Sequence, residues 1–352
     1  MPDWTQSMTR SFEYYVVDPE TWKDTTPLRN VKSSSINWDK EADTLGSATI
    51  DITESVGECY IRIYLITIQN GIREKHPLGT FLVQTPSSSF DGKIRSVSMD
   101  AYTPLLELKE NPPPLGYSLL EGANIMENAY FIAREHLRAP VVKTESEDVL
   151  YNDFVMNTDD TWLTFERDLI ANAKRELGLD EMGRVIFLPK QDTASLQPVW
   201  TFDDSNSSIL QPEITLKHDI FGIPNVVEVI YSDKFDDYYI RVVNDDPNSP
   251  TSTVNRGREI THRVTDLDLA GYPTKAQVQE YAEQLLRDLS SLECTVSFTH
   301  GYCPVRIGDC VRLNYAAAEL EDVKAKVITQ SIKCNAECQV STTAVYTKKL
   351  WR

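Results

Sequence analysis

Between residues 12 and 110 apolar and polar positions alternate with a period of two, which predicts antiparallel β structure. FEYYVVD opens the region, SATIDIT (47–53) alternates cleanly, and YIRIYLITI (60–68) is a long β-branched and aromatic run. Asn70-Gly71 follows at once; both residues tolerate positive φ, so a tight hairpin is expected there. The chain returns through LGTFLVQ (78–84), turns at Asp91-Gly92 and resumes as IRSVSMDAY (94–102). YIRIYLITI is apolar on both faces near its end, which predicts cover on two sides, by a second layer or by another subunit.

At NPPPLG (111–116) three prolines in a row exclude a central strand or helix and mark a boundary. The next stretch changes period. Ile125, Ala129, Ile132, Ala133 and Leu137 fall at helical spacing and stop before Pro140. Trp162, Phe165, Leu169, Ala173 and Leu177 predict a second helix, with Gly178 as its C-terminal cap, and GRVIFLP (183–189) reads as a buried strand. From about 215 alternation returns in NVVEVIYSD (225–233) and YYIRVV (238–243).

One helix then stands out at about 274–292. Thr274 and Gln277 form a capping box, and Val278, Ala282, Leu285 and Leu289 make its buried stripe. Strands resume at CTVSFTH (294–300), VRIGDCVRLNY (305–315), VKAKVITQSIKC (323–334) and CQVSTTAVY (338–346). A faint echo links LGTFLVQ…IRSVSMDAY to IGDCVRLNY…AKVITQSIKC: a glycine opens a strand, a loop follows, and a long alternating strand returns. The expected class is α+β, mainly β. Two related β domains (1–112 and 215–352), the first reading as a compact barrel or sandwich, are expected to flank an inserted α/β domain (113–214).

Composition narrows the function. The chain has 352 residues, 41% hydrophobic and 25% charged, as in ordinary globular proteins. No apolar run is long enough for a membrane span, and the N-terminus lacks the layout of a signal peptide, so folding in a cytosol is expected. The net charge of −18 argues against specific nucleic-acid binding, which needs concentrated Lys/Arg. It is compatible with a conduit that repels passing DNA as well as with plain solubility.

Candidate chemistry is sparse. Of six cysteines the last four, Cys303, Cys310, Cys334 and Cys338, are not spaced as zinc knuckles, and several sit in strand-like segments where cysteine behaves as a small buried hydrophobe. The five histidines are scattered, and no phosphate loop, nucleophile elbow or calcium loop occurs. Asp159-Asp160, Asp203-Asp204, Asp236-Asp237 and Asp245-Asp246 are adjacent acids, which usually cap helices or shape turns. No catalytic residue, cofactor or metal site is expected.

The order of segments resembles a known family. WDKEADTLGSATIDI (38–52) is similar to the opening of phage tail hub proteins, and PLGTFLVQTPSSSFDGKIRSVSMDAYTPLLEL (77–108) to the later hairpin and exit of the same barrel. GRVIFLPK, PVWTFDDSNSSIL (198–210) and IPNVVEVIYSD (223–233) resemble the passage from the inserted domain into a second barrel, and PVRIGDCVRL (304–313) completes the order. The resemblance covers nearly the whole chain.

It implies a structural, non-enzymatic virion protein of the phage tail, assembled in the host cytoplasm. Two tube-type barrels per chain would form a homotrimeric, pseudo-sixfold ring around the DNA ejection channel. Implied partners are further copies of the chain, the tail tube or distal tail protein, the tape-measure protein, and a spike or tip protein. The chain ends at Trp351-Arg352, which suggests a bare hub without an added lytic region. The alternatives are a tail-tip cell-wall hydrolase, or a carbohydrate-binding module using Trp38, Trp162, Trp200 and YSDKFDDYY (231–239).

NDDPNSPTSTVNRGREI (244–260) reads in two ways. One is a solvated loop without a helix N-terminus. The other is an arm whose Arg256 and Arg258 pair with acids of an adjacent subunit.

Overall fold

The computed structural model describes residues 2–53, 56–90, 92, 95–218, 220–232, 237–265 and 273–351. The first region holds β1 (Thr9–Val17), β2 (Asp24–Leu28), β3 (Val31–Asp39), β4 (Gly46–Ile52), β5 (Tyr60–Gln69), β6 (Ile72–Phe90) and β7 (Arg95–Tyr102). Next come α1 (Leu106–Glu110), β8 (Ser118–Leu119), α2 (Ile125–His136), β9 (Phe154–Val155), α3 (Trp162–Ala171), β10 (Arg175–Leu179) and β11 (Val185–Pro189). The remainder is β12 (Trp200–Asp203), β13 (Leu210–His218), β14 (Val226–Ser232), β15 (Asp237–Val243), α4 (Thr253–Arg256), β16 (Thr261–Val264), α5 (Lys275–Leu289), β17 (Ser291–Gly301), β18 (Cys310–Tyr315), β19 (Leu320–Lys333) and β20 (Gln339–Lys349). The fold is mainly β.

Two compact units form, residues 1–214 with 298–343, and residues 215–297 with 344–352. In the first unit the strand order runs β2-β1-β5-β6-β7-β4-β3 and continues onto β19. Asn70 (φ 51°) and Gly71 (φ 78°) close the β5–β6 hairpin as expected, since Gln69 pairs Ile72. Residues 60–67 of β5 are all buried, so both faces of this strand are covered within the chain. The sheet coils: the Tyr14 hydroxyl on β1 lies 2.7 Å from the Ser34 hydroxyl on β3, although β5, β6, β7 and β4 intervene in the strand order.

The last β segment coils similarly. β12 pairs in parallel with β18, yet Phe202 of β12 packs on Phe298 and His300 of β17, with ring centroids 5.0 and 4.6 Å apart. Besides β20, β19 is long enough to serve two further neighbours. Its first half pairs antiparallel with β18 (Cys310↔Lys326 to Leu313↔Val323), and its second half pairs with β3 (Thr329↔Asp39 to Lys333↔Ser35). The early and late β segments are therefore hydrogen-bonded edge to edge within one chain.

The helical portion has its own core, in which Leu105, Leu108, Ile125, Ala129, Ile132, Phe165, Leu169 and Phe187 are buried. Asn124 caps α2 through the Glu127 N–H. The second predicted helix is shorter than expected. It ends at Ala171, Lys174 takes a left-handed conformation (φ 53°), and Leu177 and Gly178 lie in β10, paired with β11. Gly178 is therefore a strand residue and not a helix cap; a Cβ there would stand 2.7 Å from the Leu188 side chain.

The second unit is a three-stranded sheet, β15-β14-β16, packed on α5 through Val227, Val229, Ile240, Val242, Val278, Ala282 and Leu286. Thr274 and Gln277 form the expected reciprocal cap. The stripe turns by one residue from the expected one: Leu286 is fully buried, and Leu285 and Leu289 flank it. On this sheet Glu228 lies between its cross-strand partners Arg241 and Arg263. Its carboxylate accepts two bonds from Arg263, at 2.7 and 3.0 Å, and one from the Tyr239 hydroxyl at 2.8 Å.

Candidate functional site

The segment 244–260 exposes one side to solvent and buries the other. Asn244, Ser249, Thr251 and Ser252 are fully buried, and their polar groups bond to one another. The Asn244 side chain donates to the Ser249 hydroxyl (2.9 Å), while the Asn244 carbonyl accepts from the Thr253 N–H (2.9 Å). A helix N-terminus is present after all. Ser252 caps the one-turn α4 through the Asn255 N–H, and Gly257 ends it in the left-handed region (φ 62°). Two prolines hid this turn from the pattern, because Pro247 and Pro250 precede the cap and do not interrupt the helix.

Arg256 projects back onto its own chain. Nη1 donates to the Ile223 carbonyl and Nη2 to the Ile220 carbonyl, each at 2.7 Å. Burial, with the like charge of Arg258 adding to it, lowers the pKa of this guanidinium. Arg258 is exposed; its main-chain carbonyl accepts from Asn225, which also holds the Ile260 N–H. The structure thus separates the two arginines: one fastens the segment, the other faces solvent.

In the first unit a cleft of about 340 Å³ opens where three parts of the chain meet. Trp38, Leu78, Ile170, Leu177, Ile186 and Val305 supply apolar walls. Its acids are engaged. Glu176 bonds Lys40 at 2.5 Å, Glu181 pairs with Arg306, and Asp180 accepts the Met182 and Arg184 N–H groups. Asp309 accepts the Arg306 N–H, and burial raises its pKa. Each carboxylate is therefore committed to a fixed partner, so the cleft is built as a seam.

The acid pairs act locally. Asp160 accepts from Asn157 and from Thr164 at the start of α3, Asp203 from Ser205, and Asp246 from Asn248. Asp236 lies outside the described residues, as do Asp91 and residues 233–236 of the tyrosine-rich run. Among the aromatic candidates, Trp162 is buried and stacks on His136 at 4.3 Å, and Tyr231 stacks on Tyr238. The cysteines are free thiols, and Cys303 Sγ lies 3.9 Å from His300 Nδ1. Among the described residues no group of three or more His, Cys, Asp or Glu is arranged to hold a metal.

Two buried charge-bearing residues escaped the pattern. Arg62 sits in the apolar run of β5 at 1% exposure and bonds Asp24, Thr80 and the Met182 carbonyl. Glu166 on α3 is fully buried, and neither of its carboxyl oxygens has a hydrogen-bond partner. Helical spacing places Glu166 between Leu163 and Ile170 on the core side, which is the signal that could have flagged it.

Residues 221–324 match a family model, Phage-tail_3, described as "Putative phage tail protein". A sequence search of curated proteins finds no match. The fold is similar to that of a tail protein from Neisseria meningitidis, with TM-score 0.61 and 14% identity, over 97% of this chain and 98% of that one. It is similar also to the 43 kDa tail protein of prophage MuSo2 from Shewanella oneidensis, with TM-score 0.62 and 10% identity, over 96% and 98% of the two chains. An Escherichia coli type VI secretion component, described as structurally similar to the T4 tail proteins gp27 and gp5, aligns with TM-score 0.50 and 7% identity, over 92% of this chain and 76% of that one. Residues 221–324 thus match a phage tail protein model, and the chain as a whole has the fold of solved phage tail proteins.

Proposed function

We propose that the chain is the hub subunit of a phage tail. In this reading three copies form a ring that joins the hexameric tail tube to a threefold spike or tip and surrounds the DNA channel. The observation that carries it is the β3–β19 joint, which sets two coiled β segments edge to edge in one polypeptide. Two such segments per chain, repeated by a threefold axis, give six similar positions facing a sixfold tube. The net charge of −18 supports a wall that DNA passes without binding.

The role in this reading is mechanical, with no enzymatic step. The engaged acids of the cleft support it, as does the likeness to tail proteins. Partners would be two further copies, the tube or distal tail protein, the tape-measure protein and the spike or tip protein, in a virion put together in the host cytoplasm. The three-part domain reading, 1–112, 113–214 and 215–352, is retained as part of this proposal. So is the role of Arg258 at a subunit boundary; Arg256 would act there by shaping the segment. The mass of the assembled protein in solution tests the proposal.

A further inference from the structure

Segments 114–123 and 149–156 form an interrupted ribbon on the surface of the inserted portion. Ser118 pairs Val155 and Leu119 pairs Phe154, and the ribbon continues through Gly122 N–H to Leu150 O (2.8 Å) and the Asn124–Val149 bridge. Its inner face is core, with Leu119 and Leu150 buried and Phe154 and Met156 packed beside them. Its outer face is also apolar. Leu120 (69%), Tyr151 (87%), Val155 and Val149 are exposed there, and Leu115 (86%) is exposed in the turn that leads into the ribbon. A ribbon that is apolar on both faces calls for cover on both, and large exposed apolar side chains gathered in one place mark interaction sites.

The charges around this face say what covers it. Glu121, Glu145, Glu147, Asp148 and Asp153 are all exposed, and residues 113–124 and 144–156 contain no Lys, Arg or His. Among the described residues none of these five carboxylates lies within ion-pair distance of a cation. Glu176, Asp180 and Glu181 of the cleft and Glu228 of β14, by contrast, are ion-paired. A second copy presenting the same face would set like charges together, at a cost in affinity. A partner offering apolar side chains flanked by Lys or Arg would fill the face and neutralise its rim.

We propose that the outer face of the 114–123/149–156 ribbon is a docking site for an apolar, Lys/Arg-flanked segment of a different protein. The site is independent of the hub reading, since a ring can form whether or not this face is occupied. The test uses the full chain and two labelled fourteen-residue peptides, one alternating Leu and Lys, the other alternating Leu and Glu. Fluorescence anisotropy at physiological salt should show binding of the Leu/Lys peptide only. Leu120→Ser/Tyr151→Ser should weaken it at least tenfold and Glu145→Gln/Glu147→Gln severalfold, while Ile72→Ser, at an exposed apolar residue elsewhere, should leave it unchanged. Unchanged melting of each variant confirms folding, and Leu115→Ser alone replaces the double variant if that fails to fold. Equal affinity of the ribbon variants and the native chain would overturn the proposal, as would an equal loss in Ile72→Ser. A ribbon variant that changes the assembly mass would overturn it too, by making the occupant a second copy, and would leave the hub reading standing.

Discussion

Arg62 Nη2 donates a 3.1 Å hydrogen bond to the Met182 carbonyl, joining residues 120 positions apart. The same carbonyl accepts from Trp22 Nε1 at 2.7 Å and from the Thr80 hydroxyl at 3.0 Å. Three donors on one turn oxygen fasten the 180–183 turn to β5, β6 and the β1–β2 connection. Gly183 completes the fit: its φ is 76°, and a Cβ there would lie 2.7 Å from Thr80 Cβ. Arg62 also pairs with Asp24 at 2.7 Å, so a buried cation is compensated on several sides.

Removing that cation is expected to be severe. Arg62→Ala leaves the Met182 carbonyl with one donor fewer and Asp24 without its buried partner. Truncating one side of a buried pair costs about 3–5 kcal/mol. Urea unfolding should show a loss of that order, and a loss below about 1 kcal/mol would mean the clamp contributes little.

Glu166 gives a pH dependence of one sign. Burial raises its pKa well above the ordinary carboxylate range, so the folded chain holds the proton that the unfolded chain releases. Stability from this group is therefore lost as pH rises above the unfolded value of about 4.3, at up to about 1.4 kcal/mol per pH unit. Glu166→Gln should gain stability over the native chain at pH 8, and the gain should vanish near pH 4. Paired urea titrations at the two pH values check this.

His300 gives the opposite sign. Its Nδ1 lies 2.6 Å from the Gly301 carbonyl and its Nε2 2.8 Å from the Thr342 hydroxyl, and burial pulls its pKa from 6.5 to about 4. The folded chain keeps the ring neutral while the unfolded chain takes up a proton. Stability is then present above pH 6.5 and is lost as pH falls towards 4, by about 3 kcal/mol. A His300→Gln variant should show a shallower acid limb in urea titrations across that window.

The two arginines of the 244–260 segment should behave differently. Arg256→Ala removes two bonds to main-chain carbonyls and should lower the stability of the second unit by about 1–3 kcal/mol. Arg258→Ala should leave melting unchanged and weaken assembly. Thermal melting and sedimentation of both variants separate these effects.

What could be read ahead of the structure was local. The Asn70-Gly71 hairpin, the Thr274/Gln277 cap and the stripe of α2 depend on neighbours within a few residues, and all are present. The end of α3 departs from the sequence pattern because Ala173 and Leu177 keep helical spacing while the helix stops at Ala171 and Lys174 turns left-handed. The packing of 244–260 is not legible in composition, because its buried polar groups satisfy one another. Arg62 reads as the polar member of an apolar strand, and only the distant Met182 turn explains its burial. The β3–β19 joint, the feature on which the functional reading rests, links residues nearly three hundred positions apart, and no local pattern encodes it.

The hub reading is tested most directly by the mass of the 352-residue chain in solution, measured by light scattering or native mass spectrometry across a concentration series. The hub reading predicts a species of three times the 40.0 kDa chain mass, with its population rising with concentration. A single-chain mass that persists at the highest concentration would contradict it.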